Sequence, residues 1–351
     1  MTHKSLLAFT LLVSPLTSVA AIQITDNFSI SGFGSTSIAK TDNSTPLFVN
    51  REITDDTCYD CDTIFGLQAD LSIIDNLNAS VQVVKRPQDD WSDPELEWAY
   101  LNYEFNQFSF RGGKLRIPLF LVSEYFFVGQ AYTWARPPQD VYDSILGFTS
   151  FEGVSATWQW DASDEIVVNI TPYYGFGNDN KIKFSGSEFN FKSDYMAGLS
   201  TEVSGFNYRI HLGYMRSEYQ IERLGIASPE ETTNIFTLGG EYSYDQWQFM
   251  SEIQTDDIQT NWYVSAGYNI NDFTPYLVYG ESHHRRKSNS VTAGVRYDLT
   301  PKISLNAEWQ GIYMDQKDYD DFNDGQFVNP PKRYGEDKDV NLYTLMLNFF
   351  F

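Results

Sequence analysis

Apolar and polar side chains alternate along much of this chain, most clearly over its last eleven residues, from Asn341 to Phe351. Every second position, counted back from the end, is apolar: Tyr343, Leu345, Leu347, Phe349 and Phe351. The interleaved positions are mixed in character. A period of two predicts a β-strand, and an apolar face opposite a mixed face is typical of a strand between hydrocarbon and a barrel lumen. A buried edge strand of a soluble sandwich is the alternative for this stretch alone.

The same period recurs upstream in about sixteen segments, and the connections between them alternate between short and long. The predicted strands are 28–40, 64–74, a segment around 79–83, a segment around 99–103, 108–116, 153–160, 166–174, 191–203, 206–219, 234–244, 247–255, 262–270, 273–281, 290–299, 303–314 and 340–351. Outer-membrane barrels have an even strand number, short turns at one end and long loops at the other. The pattern therefore predicts one all-β, antiparallel transmembrane barrel over residues 22–351, because a sandwich or propeller would not segregate its loops by length.

The first residues have the pattern of a secretory signal. Lys4 provides the positive end, Leu6–Val13 is a short apolar run, and Ser18–Ala21 offers small residues for cleavage. We expect residues 1–21 to be a signal peptide that exports the chain to the bacterial envelope. A helical membrane span is excluded, since the sequence has no run of eighteen apolar residues.

Composition agrees with a barrel and disfavours some partners. Aromatic residues make up 16% of the 351 residues and the net charge is −23, which becomes −24 without the signal peptide because that segment carries Lys4 and no acidic residue. A negative charge of this size disfavours nucleic-acid binding. The mean hydropathy of −0.36 does not contradict membrane insertion, because half of each barrel strand faces water.

Cys58 and Cys61 lie in the sequence Cys-Tyr-Asp-Cys within an acidic, polar loop. A redox-active pair would need a βαβ setting, and a zinc site would need two more ligands nearby. The favoured prediction is a disulfide that staples the loop. We predict neither a metal site nor a cofactor.

The longest connection, Ile117–Ser150, lies between the fifth and sixth predicted strands and is rich in aromatic residues. Sixteen strands enclose an aqueous channel rather than a packed interior, so this loop is expected to fold inward and narrow it. Here the chain resembles Gram-negative porins. The segments Trp98–Leu101, Arg111–Arg116 and Ala131–Pro138 look like the fourth strand, the fifth strand and the constriction loop of that family.

This resemblance implies a bacterial outer-membrane porin, a passive diffusion channel for small hydrophilic solutes and ions. It implies a homotrimer in contact with outer-membrane lipid and lipopolysaccharide. The small residues Gly32, Gly34 and Ala39 are expected to face outward and are candidates for the protomer contact, with contact with lipid as the equal alternative. It also implies that the alternating residues Tyr343, Leu345, Leu347, Phe349 and Phe351 form an assembly signal for the barrel-assembly machinery.

Seven charged residues are candidates for the pore constriction: Arg111, Lys114 and Arg116 on the fifth strand, and Glu124, Arg136, Asp140 and Asp143 on the loop. Opposed charges across a narrow lumen create a transverse field that filters solutes. The alternative is that these charges pair and pin the loop to the wall. Acidic external loops favour mild cation preference, whereas a dominant basic row would favour a channel for anionic solutes.

Two other classes of protein compete with a channel. An enzyme is disfavoured because only His211, His283 and His284 remain after the signal peptide, and the sequence has no Gly-x-Ser-x-Gly element. A non-conducting barrel, such as an adhesin, is the third class. We therefore predict no catalytic residues.

Overall fold

The computed structural model describes residues 21–87, 92–145, 149–184 and 186–351, so the predicted signal peptide lies outside the described residues except for Ala21. The strands are β1 Ile22–Thr25, β2 Phe28–Thr41, β3 Ile64–Ile74, β4 Leu77–Lys85, β5 Glu95–Phe105, β6 Phe108–Arg116, β7 Ser150–Asp161, β8 Val167–Gly175, β9 Asn178–Phe184, β10 Ser187–Ser204, β11 Tyr208–Arg223, β12 Ile226–Ala227, β13 Glu231–Tyr244, β14 Trp247–Thr255, β15 Thr260–Tyr268, β16 Phe273–His283, β17 Ser288–Thr300, β18 Ile303–Tyr313 and β19 Val340–Phe350. The helices are α1 Gln139–Tyr142, α2 Gln316–Asp320 and the 3-10 turns Ser123–Tyr125, Gly129–Ala131 and Pro331–Tyr334.

Sixteen of these strands form a closed antiparallel barrel, which confirms the predicted fold class. They are β2–β8, β10, β11 and β13–β19, and the barrel closes where β19 pairs with β2. The three remaining strands are short additions that pair with β2, β10 and β11. No helix in the described part of the chain is long and apolar enough to cross a membrane.

Successive side chains of the barrel wall point alternately to the outside and to the lumen, as the period of two predicts. On β19, Tyr343 and Leu345 are exposed on the outside, whereas Leu342 and Met346 are buried inside. Ile210 of β11 is likewise exposed on the outer face. Since aliphatic and aromatic residues cover this face, it is the surface that meets hydrocarbon.

The last residues close the barrel against β2. Phe351 and Gly32 exchange two backbone hydrogen bonds, of 2.8 and 2.9 Å. The ring of Phe351 covers Gly32, and that of Phe349 covers Gly34, at distances that leave no room for a Cβ at either glycine. Aromatic rings that cover strand glycines fix the register of a sheet.

The structure corrects the expectation that Ala39 lies on an outward protomer face. Ala39 is 1% exposed and packs inside the barrel with Leu47 and Ile312. The outward glycines Gly32 and Gly34 are covered by rings of the same chain, as described above, so they present no bare backbone to a second protomer.

One predicted loop, residues 177–190, is largely a hairpin. β9 and the first residues of β10 pair there, from Ser187 with Phe184 to Ser193 with Asn178. The turn uses Gly186 at a φ of 67°, a left-handed conformation that glycine adopts without strain. The stretch was assigned to a loop because its polar residues, from Asn178 to Lys181, show no alternation with apolar ones.

Candidate constriction site

The segment between β6 and β7, described over residues 117–145 and 149, folds into the lumen, and we call it the inserted loop. Its apolar side chains form a core with inward residues from many wall strands. The cluster contains Ile117, Leu119, Phe120, Tyr132, Trp134 and Val141 of the loop, and Leu115, Phe151, Tyr173, Met196, Met215, Ile235, Tyr263, Tyr276 and Val278 of the wall. A second cluster packs Phe126, Phe127 and Val128 against Phe33, Ile64, Val84 and Phe350. The lumen is therefore filled at this level by a hydrophobic core rather than by water alone.

Wall residues of β14 and β15 hold the first part of the loop through buried hydrogen bonds. The Glu252 carboxylate is 2% exposed and accepts the backbone N–H of Leu121 at 2.7 Å and the hydroxyl of Tyr263 at 2.8 Å. The Trp134 indole N–H donates to the hydroxyl of Ser265 at 2.8 Å. Buried polar groups with complete partners of this kind fix one arrangement of a core.

Strands β17 and β18 hold the loop backbone on either side of Trp134. Arg296 donates to the carbonyl oxygen of Tyr132 at 2.6 Å. The carboxylate of Glu308 accepts the backbone N–H of Ala135 at 3.1 Å. The parity of both residues along their strands places them on the inward face, but parity alone does not show that they bind loop backbone.

Among the seven charged residues predicted for the constriction, Arg111 and Glu124 form an ion pair that remains in contact with water. Their ion pair measures 3.0 Å, and their side chains are 28% and 58% exposed. The Arg111 guanidinium also lies 5.3 Å from the centre of the Tyr100 ring, which orients it along the wall. These two residues can therefore act on a solute that passes the loop.

Lys114 was predicted to face the lumen, and the register of β6 corrects this placement. Lys114 pairs with Ala99 and Glu152, and their strand neighbours of the same parity, Leu101 and Val154, are each 50% exposed on the outer surface. Lys114 is three positions from Arg111, and an odd spacing on a strand reverses the face. Lys114 therefore lies on the outward face of the wall.

Arg116 shares the parity of Lys114, but it is the last residue of β6, and its guanidinium turns inward to a site that is not open to water. It forms an ion pair with Glu97, a fully buried carboxylate that also pairs with Arg86 at 2.7 Å. Its guanidinium lies 4.9 Å from the centre of the Phe127 ring. Arg116 therefore anchors the aromatic part of the inserted loop.

Arg136 is buried and binds Asp62, the residue that follows Cys61. Two nitrogens of Arg136 donate to the Asp62 carboxylate at 2.7 and 2.5 Å. Burial raises the pKa of Asp62, but the guanidiniums of Arg136 and Arg51 outweigh it and hold that pKa well below its usual range. This pair belongs to the anchoring of the loop rather than to the solute path.

Asp140 and Asp143, at helix α1, also anchor the loop. Asp140 accepts the Ser290 hydroxyl and the Gln326 side-chain amide, both at 2.7 Å, and Asp143 lies 3.4 Å from Arg286. Burial raises the pKa of Asp140 to about 6 and also raises that of Asp143. Three of the four predicted loop charges thus pin the loop.

A second group of charges near the 3-10 turn Ser123–Tyr125 was not predicted as part of the constriction. Arg209 donates to the Tyr125 hydroxyl at 2.7 Å and pairs with Glu241 at 2.8 Å and Glu202 at 3.8 Å. The alternation along their strands indicates that Arg209 and Glu241 point into the lumen. The sequence does not show how deep in the barrel the inserted loop lies, and therefore does not show that it contacts them. We call Arg111, Glu124, Glu202, Arg209 and Glu241 the charged gap.

Cys58 and Cys61 are joined by a disulfide in the loop between β2 and β3. Asp60 lies close enough to both sulfurs to complete a possible metal-ligand cluster. The sulfurs are bonded to each other, however, and metal binding by cysteine requires thiolates. The geometry is that of a loop staple.

A closed barrel with an apolar outer face, a loop folded into its lumen and a charged gap beside that loop defines a transmembrane β-barrel of the porin channel class. Residues 147–318 match the sequence model of a family described as Gram-negative porin. That match confirms the resemblance and with it a porin-type channel in the bacterial outer membrane. A search of the curated proteins found no sequence match.

Solved structures show the same fold. OmpT of Vibrio cholerae has a TM-score of 0.61 at 13% identity, and the match covers 94% of this chain and 100% of that chain. An anion-selective porin from Comamonas acidovorans has a TM-score of 0.62 at 12% identity, with 92% and 99% covered. OmpF of Salmonella typhi, in complex with daunomycin, has a TM-score of 0.59 at 13% identity, with 94% and 100% covered.

Proposed function

We propose that this protein is a narrow general porin through which small hydrophilic solutes and ions diffuse, with mild cation preference and no enzymatic activity. The observation that carries the proposal is the charged gap beside the inserted loop. At this level the loop fills much of the lumen with a hydrophobic core, so solutes pass where Arg111 and Glu124 remain exposed to water. Opposed charges at such a narrowing order water and select by size and charge.

Cation preference is supported by the charges on the lumen wall. The half of the lumen near the short turns contains more carboxylates than cations. Six carboxylates there are partly or fully exposed, namely Asp70, Glu104, Glu124, Glu202, Glu241 and Asp298. The cations in the same half are Arg111, Arg209 and Arg296. The basic row that would favour anions is reduced to Arg111, because Lys114 faces outward and Arg116 is paired with Glu97. A surplus of fixed negative charge raises the local cation concentration.

The test is the reversal potential of the purified protein in planar bilayers under a potassium chloride gradient. We expect single-channel conductance and a cation-selective sign that weakens as salt rises. An anion-selective sign at all ionic strengths that Arg111→Ala reverses would instead support a channel for anionic solutes. Absence of conductance in a folded barrel would support a structural or enzymatic role.

We also propose a homotrimer, with the β4–β7 face as protomer contact. Aromatic residues cover the outer wall near its long-loop end on β8–β19, at Tyr174, Tyr195, Tyr214, Phe236, Trp262, Tyr279, Trp309 and Tyr343. At this end β14 and β17 each lack a ring singly, at Ile253 and Val291, whereas the four neighbouring strands β4–β7 lack one together, at Val83, Leu96, Lys114 and Glu152. Interfacial rings mark contact with lipid headgroups, so a gap four strands wide at this end favours a protein contact there.

A V. cholerae OmpT structure is described as a trimer form, with a TM-score of 0.59 at 13% identity, and supports the same proposal. Light scattering of mildly extracted protein should give three protomers, and a monomer would contradict it. Contacts with lipopolysaccharide and with the barrel-assembly machinery stay predictions.

A further inference from the structure

Asp62 is the centre of a buried group of charges at the junction of the first long loop and the lumen. Its side chain is 1% exposed. Besides Arg136, it accepts hydrogen bonds from Arg51 Nε and from the Ser37 hydroxyl, both at 2.7 Å. Asp62 lies outside the stretch that matches the porin family model and outside the seven charges predicted for the constriction.

These contacts connect three parts of the molecule. Ser37 is on the barrel wall in β2, Arg51 is in the loop between β2 and β3, and Arg136 is on the inserted loop. Arg51 reaches the inserted loop a second time by donating to Gln139 at 3.1 Å. One carboxylate thus binds wall, first loop and inserted loop at a single point.

The contacts that Arg136 makes with residues other than Asp62 are weaker than its contacts with Asp62. Its Nη2 also donates to the Thr344 hydroxyl of β19 at 2.9 Å, and its Nη1 lies 3.7 Å from Glu308. Without Asp62, Arg136 would keep only Glu308 as a charge partner, at 3.7 Å, and Arg51 would keep its hydrogen bond to Gln139 and a longer-range interaction with Asp143. Since an unpaired charge is strongly unfavourable in a buried site, Arg136 would move toward water and the loop around it would leave the wall.

The segment before Asp62 is itself rigid. The Cys58–Cys61 disulfide closes the turn that precedes it. Ala39 of β2 and Cys58 exchange two backbone hydrogen bonds, of 2.9 and 2.8 Å. The carboxylate is therefore presented from a fixed point on the barrel rather than from a free loop.

We propose that Asp62 is a positioning residue of the pore, through which the first long loop holds the inserted loop against the wall and sets the width of the channel. This inference rests on the proposed porin function. Asp62 contacts no part of the charged gap, so it acts on solutes through Arg136 and the loop. Loss of the Asp62 charge should widen or destabilise the opening without removing the barrel.

The experiment is single-channel recording of the full-length protein and of Asp62→Asn in 1 M potassium chloride. At that salt the screening length is about 3 Å, so a change in conductance reports width rather than charge. We expect the main conductance to rise about twofold or more, with frequent transitions between levels, because the loop and not the sixteen-stranded wall limits the opening. Heat-modifiable migration on gels checks that the barrel is folded.

Asp55→Asn is the matched control, since it removes the same charge from an exposed position of the same loop. It should leave the conductance unchanged. A folded Asp62→Asn protein with the conductance and quiet trace of the parent would overturn the proposed role of Asp62. A parent protein that does not conduct would instead refute the porin function, so the two failures are distinguishable.

The double variant Asp62→Asn/Arg136→Gln tests the role even where Asp62→Asn alone does not fold. It removes one charge of each sign, so the net charge of the buried group stays that of the parent. The role of Asp62 requires that the double variant and Arg136→Gln both show the raised, unstable conductance, without additive effects. Parental conductance in a folded double variant would overturn it.

Discussion

The ion pair between Arg111 and Glu124 predicts opposite selectivity changes when its two members are neutralised separately. The pair measures 3.0 Å, so at larger distances its charges nearly cancel. Glu124→Gln leaves a lone cation, and Arg111→Ala leaves a lone anion. A lone charge about 5 Å from a passing ion in water contributes roughly 0.8 kcal/mol, which screening at 0.1 M salt reduces to about 0.5 kcal/mol.

The charge shifts the cation and the anion by this energy with opposite signs, so the cation-to-anion permeability ratio changes about fivefold at 0.1 M salt and under about twofold at 1 M salt. Glu124→Gln should lower the ratio, Arg111→Ala should raise it, and the double variant should return close to the parent. Reversal potentials in planar bilayers at the two salt concentrations measure this. The reasoning would be refuted by shifts of the same sign in both single variants, or by shifts that persist at 1 M salt.

Lys114→Ala is the control for this experiment. It removes the same charge as Arg111→Ala, from a position on the same strand that faces outward. We expect no change in selectivity. A shift as large as that of Arg111→Ala would show that Lys114 reaches the lumen after all.

Three further predictions concern assembly, pH and packing. Deleting Phe351 removes two backbone hydrogen bonds to Gly32 and the ring above it, so we expect less heat-modifiable barrel in the outer membrane but unchanged export; normal folding in cells would contradict this. Because burial raises the pKa of Asp140 from 3.8 to about 6, its protonation stabilises the folded state fully below about pH 4, and this contribution is lost as pH rises through 6. Thermal unfolding from pH 4 to 8 should show that decline, and Asp140→Asn should reduce it, leaving the contribution of Asp143. Trp134→Ala should weaken loop docking by about 3–5 kcal/mol, measured as faster proteolysis of the loop, and a parental rate would argue against it.

The strands were predictable where one face meets lipid and the other meets the lumen. The predicted bounds of β3, β6 and β14 agree with the structure to the residue, because hydrocarbon forces an apolar residue at every second position. Beyond the membrane this constraint disappears. The hairpin that begins at Asn178 and turns at Gly186 was therefore assigned to a loop.

The inserted loop was predictable from its aromatic content, but the partners of its charges were not. Arg136 and Asp62 are 74 positions apart, and Tyr125 and Arg209 are 84 apart. No local pattern links such residues, because the pairing is decided by how far the loop descends into the barrel. The basic residues of β6 were grouped by closeness in sequence, although the spacing from Arg111 to Lys114 places them on opposite faces.

Closure of the barrel between β19 and β2 has a consequence for the newly exported chain. The two strands are separated by nearly the whole sequence, from Thr41 to Val340, so neither edge finds its partner until almost all other strands exist. Until then, both edges present unpaired backbone groups that can pair with other chains. Strands β2 and β19, which pair last, therefore need protection in the periplasm for the longest time. A shortage of periplasmic chaperones should produce aggregates joined through β2 and β19.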